Sequence, residues 1–178
     1  LQLEARAGML LDHPNIVKTH RIEQTGAKCV VEMEYVRSVN LHELIALSGP
    51  VKWPLACDLI LQAAAGLHHA HKAQFVHRDV KPANFLIDKE GRLKVLDFGL
   101  ALSKDRPDDE FSLAMIFGHD CLGTADFIAP EQIENSLEVD ARADIYGLGC
   151  TFYAALTGKV PFPFPKNSQK LDAQKNKQ

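Results

Sequence analysis

A polar cluster between two apolar segments constrains this chain more than any other feature. Residues 75–87 read FVHRDVKPANFLI, so that an Asp, a Lys and an Asn follow one short apolar segment and precede another. The second apolar segment, at 85–87, predicts a strand. DKEG at 88–91 has the composition of a turn, and 92–96 alternates as a second strand does. The pattern therefore predicts an antiparallel hairpin.

This hairpin brings two oxygen-bearing side chains to one end. Asn84 precedes the first predicted strand and Asp97 follows the second, so antiparallel pairing places them side by side. Amide and carboxylate oxygens suit Mg²⁺, which takes one or two protein ligands and completes its shell with water and phosphate. Asp79 and Lys81, on the loop before the hairpin, supply an acceptor for a hydroxyl proton and a charge for a phosphate. Together these groups predict phosphoryl transfer.

The same residues resemble the catalytic loop and metal-binding triplet of the eukaryotic-type (Hanks-type) Ser/Thr protein kinases. The resemblance is specific because both tripeptides occur in the family's order, with a hairpin between them. It implies an α+β, bilobal protein-kinase-like fold that is truncated, with an incomplete small lobe and without the last helices of the large lobe. The tripeptides are His77-Arg78-Asp79 and Asp97-Phe98-Gly99.

The resemblance also divides the chain. It assigns 1–36 to the remainder of the small lobe and 37–178 to the large lobe, with the catalytic loop at 77–84 and the activation segment at 97–131. The first residue is Leu1 rather than Met, which predicts a fragment of a longer protein. The family's glycine-rich phosphate loop and the strand carrying its lysine are expected to lie outside this chain.

An ATP site is implied by the same comparison. Met33 matches the gatekeeper behind the adenine pocket, and Glu34 to Val36 match the hinge, whose backbone groups bind the adenine edge. Leu86 is expected beneath the adenine. Glu4 matches the glutamate that pairs with the lysine of the earlier strand; the alternative is a solvated helix residue.

The activation segment carries the regulatory expectations. Thr124, with Lys81, favours Ser/Thr over Tyr as the phosphate acceptor. Asp120 stands where many relatives carry a phosphorylatable threonine, so it is expected to pair with Arg78 and order the loop without phosphorylation. The alternative is a solvated loop residue. Glu131 matches a glutamate that pairs with an arginine nearer the family's C-terminal end.

Two strands joined by a turn are predicted at 16–23 and 28–36. Two long helices are predicted from apolar spacing, at 54–72 and at 140–156. The buried face of the first is expected to contain Leu55, Leu59, Ile60, Ala63, Ala64 and Leu67. The face of the second is expected to contain Ile145, Leu148, Phe152 and Leu156.

Both helices carry polar residues whose roles can be predicted. The resemblance makes Asp144 the buried carboxylate that holds the catalytic-loop backbone. His68, His69 and His71 lie near the end of the first helix, and no carboxylate is spaced with them in the sequence. Their position at the C-terminal end of the helix favours an interaction with the helix macrodipole over a metal site.

Composition limits the remaining classes of function. A net charge of -3 gives no basic field for nucleic acid. The four cysteines form no Cys-x-x-Cys pair and indicate reduced thiols in a cytoplasmic catalytic domain. No apolar run approaches the roughly 20 residues of a membrane helix and no signal peptide opens the chain, although a membrane anchor elsewhere in a longer protein is compatible with this. Oligomeric state is not predicted.

The function implied is Mg²⁺-dependent transfer of the ATP γ-phosphoryl group to a Ser or Thr hydroxyl of a protein substrate. One alternative is a pseudokinase or docking scaffold. One reason is that this chain lacks the strand that carries the family's lysine. Another is Gly8, which costs its helix about 1 kcal/mol relative to alanine. Gly8 stands where the family usually has a bulky apolar residue, so a gap is expected in the packing toward Phe98. Another alternative is a small-molecule phosphotransferase, a class that generally lacks segments like Gly123-Thr124 and Ala129-Pro130-Glu131.

Overall fold

The computed structural model describes residues 9–25, 28–96, 98, 102–103, 124–134 and 139–176. Runs of strands and runs of helices follow one another along these segments, and all paired strands are antiparallel, which confirms the α+β class. No helix within the described segments combines the length and the apolar character needed to cross a membrane.

The first described strands form an antiparallel pair. β1 (Thr19–Thr25) pairs with β2 (Lys28–Met33), close to the two strands predicted there. β2 ends at Met33 rather than at residue 36, and one further backbone bond, from Glu34 N to Lys18 O at 2.9 Å, follows it. The chain then leaves the sheet through residues 34–37, which include the predicted hinge at 34–36.

A three-stranded sheet carries the predicted hairpin. β3 (Ser38–Asn40) pairs with β5 (Phe85–Asp88), which pairs in turn with β6 (Leu93–Val95), both antiparallel. The turn between β5 and β6 is stabilised by Asp88, whose Oδ1 accepts hydrogen bonds from the backbone N–H groups of residues 90 and 92, each at 2.9 Å. Gly91 has a φ of 80°, a conformation that glycine adopts readily. The hairpin prediction is confirmed.

Two helices follow β3. α1 (Leu41–Ser48) begins with a capping box, in which Asn40 Oδ1 accepts from Glu43 N at 2.8 Å and Glu43 Oε2 accepts from Asn40 N at 2.9 Å. α2 (Trp53–Lys72) begins next to a proline in its first turn, where the missing N–H costs no helical hydrogen bond.

The buried face of α2 agrees in part with its apolar spacing, and Ile60 and Ala64 are half-buried. Leu59, Ala63 and Leu67 are buried, but Leu55 is 44% exposed, so the prediction that it is buried was wrong. Leu55 lies in the first turn of the helix, at the margin of the face formed by the buried residues. The elements that pack on this face therefore leave Leu55 exposed.

Helix α4 (Ala141–Thr157) buries only part of the predicted face: Leu148, Phe152 and Leu156 are half-buried and pack against the core. Its buried residues are mostly small, and the predicted core residue Ile145 is 64% exposed. The reason is close backbone approach: a Cβ on Gly147 would lie 2.9 Å from Val80 O in the catalytic loop. Small side chains, not large ones, permit this contact. The buried positions are Ala143, Asp144, Gly147, Cys150, Thr151, Ala154 and Ala155.

The remaining elements are two short strands and two helices. β4 (Phe75–Val76) pairs with β7 (Leu102–Ser103), and the short α3 (Pro130–Glu134) precedes α4. α5 (Asn167–Asn176) was not predicted, because its sequence is polar.

Two polar side chains hold α5 against the turn at 124–126. Lys170 Nζ lies 2.7 Å from Asp126 Oδ2, and Gln174 Nε2 donates to Asp126 O at 2.8 Å. Both ends of the ion pair are largely buried, so these contacts account for a helix that apolar spacing does not indicate.

Candidate active site

One buried carboxylate anchors the backbone of the catalytic loop. Asp144 is 1% exposed; its Oδ2 accepts from His77 N at 2.8 Å and its Oδ1 accepts from Arg78 N at 2.7 Å. His71 Nε2 lies 2.7 Å from Asp144 Oδ2. A buried carboxylate is tolerated when donors surround it, and here they come from α2 and from the loop. His71 therefore has a carboxylate partner, which the spacing of the histidines did not reveal.

The His77 ring connects the loop to the segment after β6. The ring is completely buried; Nδ1 accepts from Asp79 N at 3.2 Å, which leaves the proton on Nε2, 3.0 Å from Leu96 O. Its edge packs on the buried ring of Phe98, with centroids 4.7 Å apart. His77 thus contacts the residues that precede and follow Asp97 in the sequence; Asp97 itself lies outside the described residues.

Three polar side chains of the loop converge on one carboxylate. Asp79 Oδ2 lies 2.7 Å from Lys81 Nζ and accepts from Asn84 Nδ2 at 3.0 Å. Asn84 Nδ2 also donates to Asp79 O at 2.8 Å. The Asp79 side chain is 14% exposed, and no donor within the described segments contacts its Oδ1. That oxygen is consequently the one available to an incoming hydroxyl.

Asn84 presents its oxygen where the sequence predicts a cation site. Both side-chain bonds that Asn84 donates leave from Nδ2, so Oδ1 keeps its lone pairs. Leu96 N donates to Asn84 O at 2.8 Å, which brings the residue before Asp97 against Asn84. An amide oxygen is a ligand that fits a hard divalent cation, and the second predicted ligand, Asp97, lies outside the described residues.

Arg78 has a positive φ of 66°, which is uncommon outside glycine. Burial lowers the pKa of its guanidinium, and the nearby Asp144 carboxylate opposes that shift. The Arg78 carbonyl accepts a hydrogen bond from Gln132 Nε2 at 2.8 Å. Gln132 was not singled out from the sequence, where its only signal is its position directly after Ala129-Pro130-Glu131.

The hinge is held by a side chain rather than by its backbone alone. Glu34 Oε1 accepts from Lys18 N at 2.8 Å and lies 2.7 Å from Lys94 Nζ on β6. Partial burial raises the pKa of Glu34, but the Lys94 ammonium and the Lys18 amide outweigh it, so that the pKa lies below its ordinary value. The other predicted nucleotide contacts flank this pair: Met33 is 43% exposed and Val36 and Leu86 are half-buried.

Replacing Glu34 by glutamine is expected to reduce stability at pH 7 and to make the protein less sensitive to acid. A carboxyl whose folded pKa is lowered stabilises the fold above its ordinary pKa of 4.5, and this stabilisation is lost as the pH falls through the lowered folded value. Urea unfolding at pH 7 and pH 3 tests this. The difference between wild type and variant should shrink at pH 3, whereas Glu32→Gln, at an exposed position on β2, should show little difference at either pH. A difference independent of pH would contradict the assignment.

Several predicted residues are not brought to the site by the described structure. Glu4, Gly8, Asp97, Gly99 and Asp120 lie outside the described residues. The pairing of Asp120 with Arg78 and the gap at Gly8 therefore stay predictions.

Two further predicted residues, Thr124 and Glu131, lie in the described segment at 124–134. Thr124 begins the turn at 124–126, but its side chain is outside the description. Glu131 is exposed on α3.

Comparison with known proteins agrees with this geometry. The chain is 36% identical over 159 residues to serine/threonine-protein kinase PrkC of Bacillus subtilis, which covers 89% of this chain and 24% of that protein. It is 37% identical over 164 residues to serine/threonine-protein kinase PknB of Mycolicibacterium smegmatis, covering 89% and 25%. The chain thus spans about a quarter of the length of these curated bacterial relatives.

The match to a family extends over nearly all residues. A family model described as protein kinase domain matches residues 2–178. The resemblance noted in the loop and the metal triplet is confirmed by this match, and a family with these parts uses ATP and a divalent metal. This chain belongs to the protein kinase domain family.

Proposed function

We propose that the protein transfers the γ-phosphoryl group of ATP to a Ser or Thr hydroxyl of a protein substrate. The observation that carries this proposal is the Asp79 carboxylate, one oxygen of which is held by Lys81 and Asn84 at 2.7 and 3.0 Å. Its other oxygen is left to accept or orient the proton of an attacking hydroxyl. A docking scaffold has no need of a carboxylate held in this way.

Lys81 has a second role in this proposal. The Lys81 side chain is 22% exposed beside Asp79, where its positive charge steadies the phosphoryl group as it approaches the hydroxyl. Because Lys81 also contacts the carboxylate at 2.7 Å, it orients Asp79 before substrate binds. The transferring group and the acceptor are thereby held by neighbouring residues of one short loop.

Asn84 and Asp97 would hold Mg²⁺. A divalent cation bound there neutralises charge on the β- and γ-phosphates of ATP. The chain contributes by orienting the ligands. Asn84 Nδ2 donates to Asp79 O, so Asn84 Oδ1 points away from Asp79. His77 contacts Leu96 and Phe98, which precede and follow Asp97 in the sequence.

The hinge at 34–36 is proposed to bind the adenine edge through its backbone, with Met33 behind the base and Leu86 beneath it. The Glu34 contacts to Lys18 and Lys94 support this, because they restrain the hinge before nucleotide arrives. The division into a small lobe at 1–36 and a large lobe from 37 belongs to the same proposal.

Ser/Thr acceptors are proposed because the similar proteins are named serine/threonine-protein kinases and because Thr124 follows the family pattern. We also propose that the catalytic domain works in the cytoplasm. Cys57 and Cys150 are free thiols, and burial raises the pKa of Cys150 to about 11, so it stays protonated at neutral pH.

The test is phosphate transfer from labelled ATP to a generic protein substrate by the full-length protein, with Mg²⁺ and with excess EDTA. Label is expected on phosphoserine or phosphothreonine after acid hydrolysis, and EDTA should abolish transfer. Restoring Mg²⁺ in excess of the chelator should restore it. A folded protein that transfers no phosphate under these conditions would overturn the proposal and favour the scaffold, and label on small molecules alone would favour a small-molecule phosphotransferase.

A further inference from the structure

We propose that Gln132 is a positioning residue for the phosphotransfer reaction: it fixes the peptide group between Arg78 and Asp79 and so sets the direction of the Asp79 carboxylate. The inference rests on the proposed function, in which Asp79 receives the hydroxyl proton. Gln132 contacts neither the nucleotide hinge nor the Asp79 side chain, so its effect is exerted through the backbone alone.

The backbone at Arg78 needs external support. Its φ of 66° lies in the left-handed region, which a residue with a Cβ occupies at a cost. Such a conformation persists when surrounding groups over-determine it. On one side of Arg78, its N–H donates to Asp144 Oδ1 at 2.7 Å; on the other, its carbonyl accepts from Gln132 Nε2 at 2.8 Å. The two buried side chains restrain both peptide groups that flank the strained residue.

The orientation of the Gln132 amide is determined by its partners. Ala129 N donates to Oε1 at 3.0 Å, and a backbone N–H can only donate. The Arg78 carbonyl can only accept, so Nε2 must face it. A flipped amide would place two donors against each other and two acceptors against each other. Gln132 is 7% exposed, so water does not replace either bond without cost.

The peptide group that Gln132 holds is the one that carries Asp79. The oxygen of this group bonds to Gln132, and its N–H, on the opposite edge, donates to His77 Nδ1 at 3.2 Å. A peptide plane restrained at both edges cannot rotate about its long axis, which fixes φ of Asp79 and the start of its side chain. Loss of the Gln132 bond therefore weakens the restraint on that rotation.

Gln132 also connects the loop to the segment that follows the turn at 124–126. Ala129 and Gln132 flank the start of α3, and Ala129 is completely buried. The same amide therefore couples the position of this segment to the position of Asp79. We expect the coupling to affect turnover more than nucleotide binding.

Gln132→Glu in the full-length protein separates this role from general packing. The variant keeps the shape and the acceptor for Ala129 N but loses the donor to the Arg78 carbonyl. At pH 8, kcat is expected to fall about tenfold, the effect of one lost hydrogen bond, with KM for ATP unchanged. A protonated carboxyl donates again, and burial raises the pKa of such a group, so the deficit relative to wild type should shrink between pH 8 and pH 6.

Two further variants keep the inference falsifiable. Gln132→Met, which can neither donate nor accept, should show a kcat deficit that is the same at pH 8 and pH 6, again with unchanged KM for ATP. Gln169→Glu makes the same chemical change at an exposed position of α5 and should behave as wild type. If Gln132→Glu does not fold, the kcat and KM values of Gln132→Met decide.

The outcomes distinguish this inference from the proposed function. Wild-type kcat in both Gln132 variants would overturn the positioning role, as would a Gln132→Glu deficit that does not change with pH or a Gln132→Met deficit that recovers at pH 6. An inactive wild type would instead overturn the proposed function, and the positioning role with it.

Discussion

Replacing Asp79 by asparagine is expected to lower kcat for phosphotransfer by about 10²- to 10⁴-fold, the range for loss of a positioned general base. Asparagine has almost the same shape, so its packing in the loop should survive. It carries no charge, however, and its amide cannot take a proton from a hydroxyl. The ion pair with Lys81, at 2.7 Å, is lost as well. KM for ATP should change much less than kcat, because Asp79 is not a hinge residue.

The measurement is the steady-state rate of transfer to a protein substrate at saturating ATP, with thermal unfolding as a check on folding. Asp12→Asn is the matched control, since the Asp12 side chain is 87% exposed and remote from the loop in sequence. It should retain the wild-type rate. Near-wild-type turnover by Asp79→Asn would remove Asp79 from the reaction and leave the proposed mechanism without its acceptor.

Replacing Asp144 by alanine is expected to have the largest effect on stability, a loss of roughly 2–5 kcal/mol in the free energy of unfolding. The substitution leaves two backbone N–H groups, of His77 and Arg78, without the acceptor that lies 2.8 and 2.7 Å away in the wild type. It also removes the carboxylate partner of His71. Because the site is 1% exposed, water does not enter readily to replace these bonds.

Urea unfolding measures this loss, and the rate of phosphotransfer is expected to fall with it, since the loop backbone is no longer held. Asp172→Ala, at an exposed position of α5, provides the control, and its free energy of unfolding should change by less than about 0.5 kcal/mol. An unfolding free energy for Asp144→Ala equal to that of wild type would show that the three contacts contribute nothing net.

The local elements that carry the site were predictable. The hairpin of β5 and β6 followed from apolar alternation interrupted by the turn at 88–91, and its formation brings Leu96 against Asn84 at 2.8 Å. The cluster of Asp79, Lys81 and Asn84 was equally readable, because all three lie within six residues of one another along the chain. Such features depend on side-chain type and short-range geometry, which a sequence contains directly.

The burial of the long helices was predicted only in part. Apolar spacing identified Leu59, Ala63 and Leu67, yet it placed Ile145 in the core, where the structure has small residues instead. Spacing gives the direction of an apolar face relative to the helix axis, but not how closely another backbone approaches. At Gly147 that approach leaves no room for a Cβ beside Val80. Packing distance therefore decided that small residues take the most buried positions of this helix.

The sequence by itself determined which chemical groups the protein carries and the short elements that display them: the loop with Asp79, the hairpin, and the order of segments typical of a protein kinase. Only the tertiary structure decided how these groups are held. Asp144, which the family resemblance alone had indicated, contacts Arg78 across 66 positions, and Gln132 contacts it across 54. Hydrogen-bond partners this distant are selected by the packing of whole helices against the loop, and no local pattern encodes that packing.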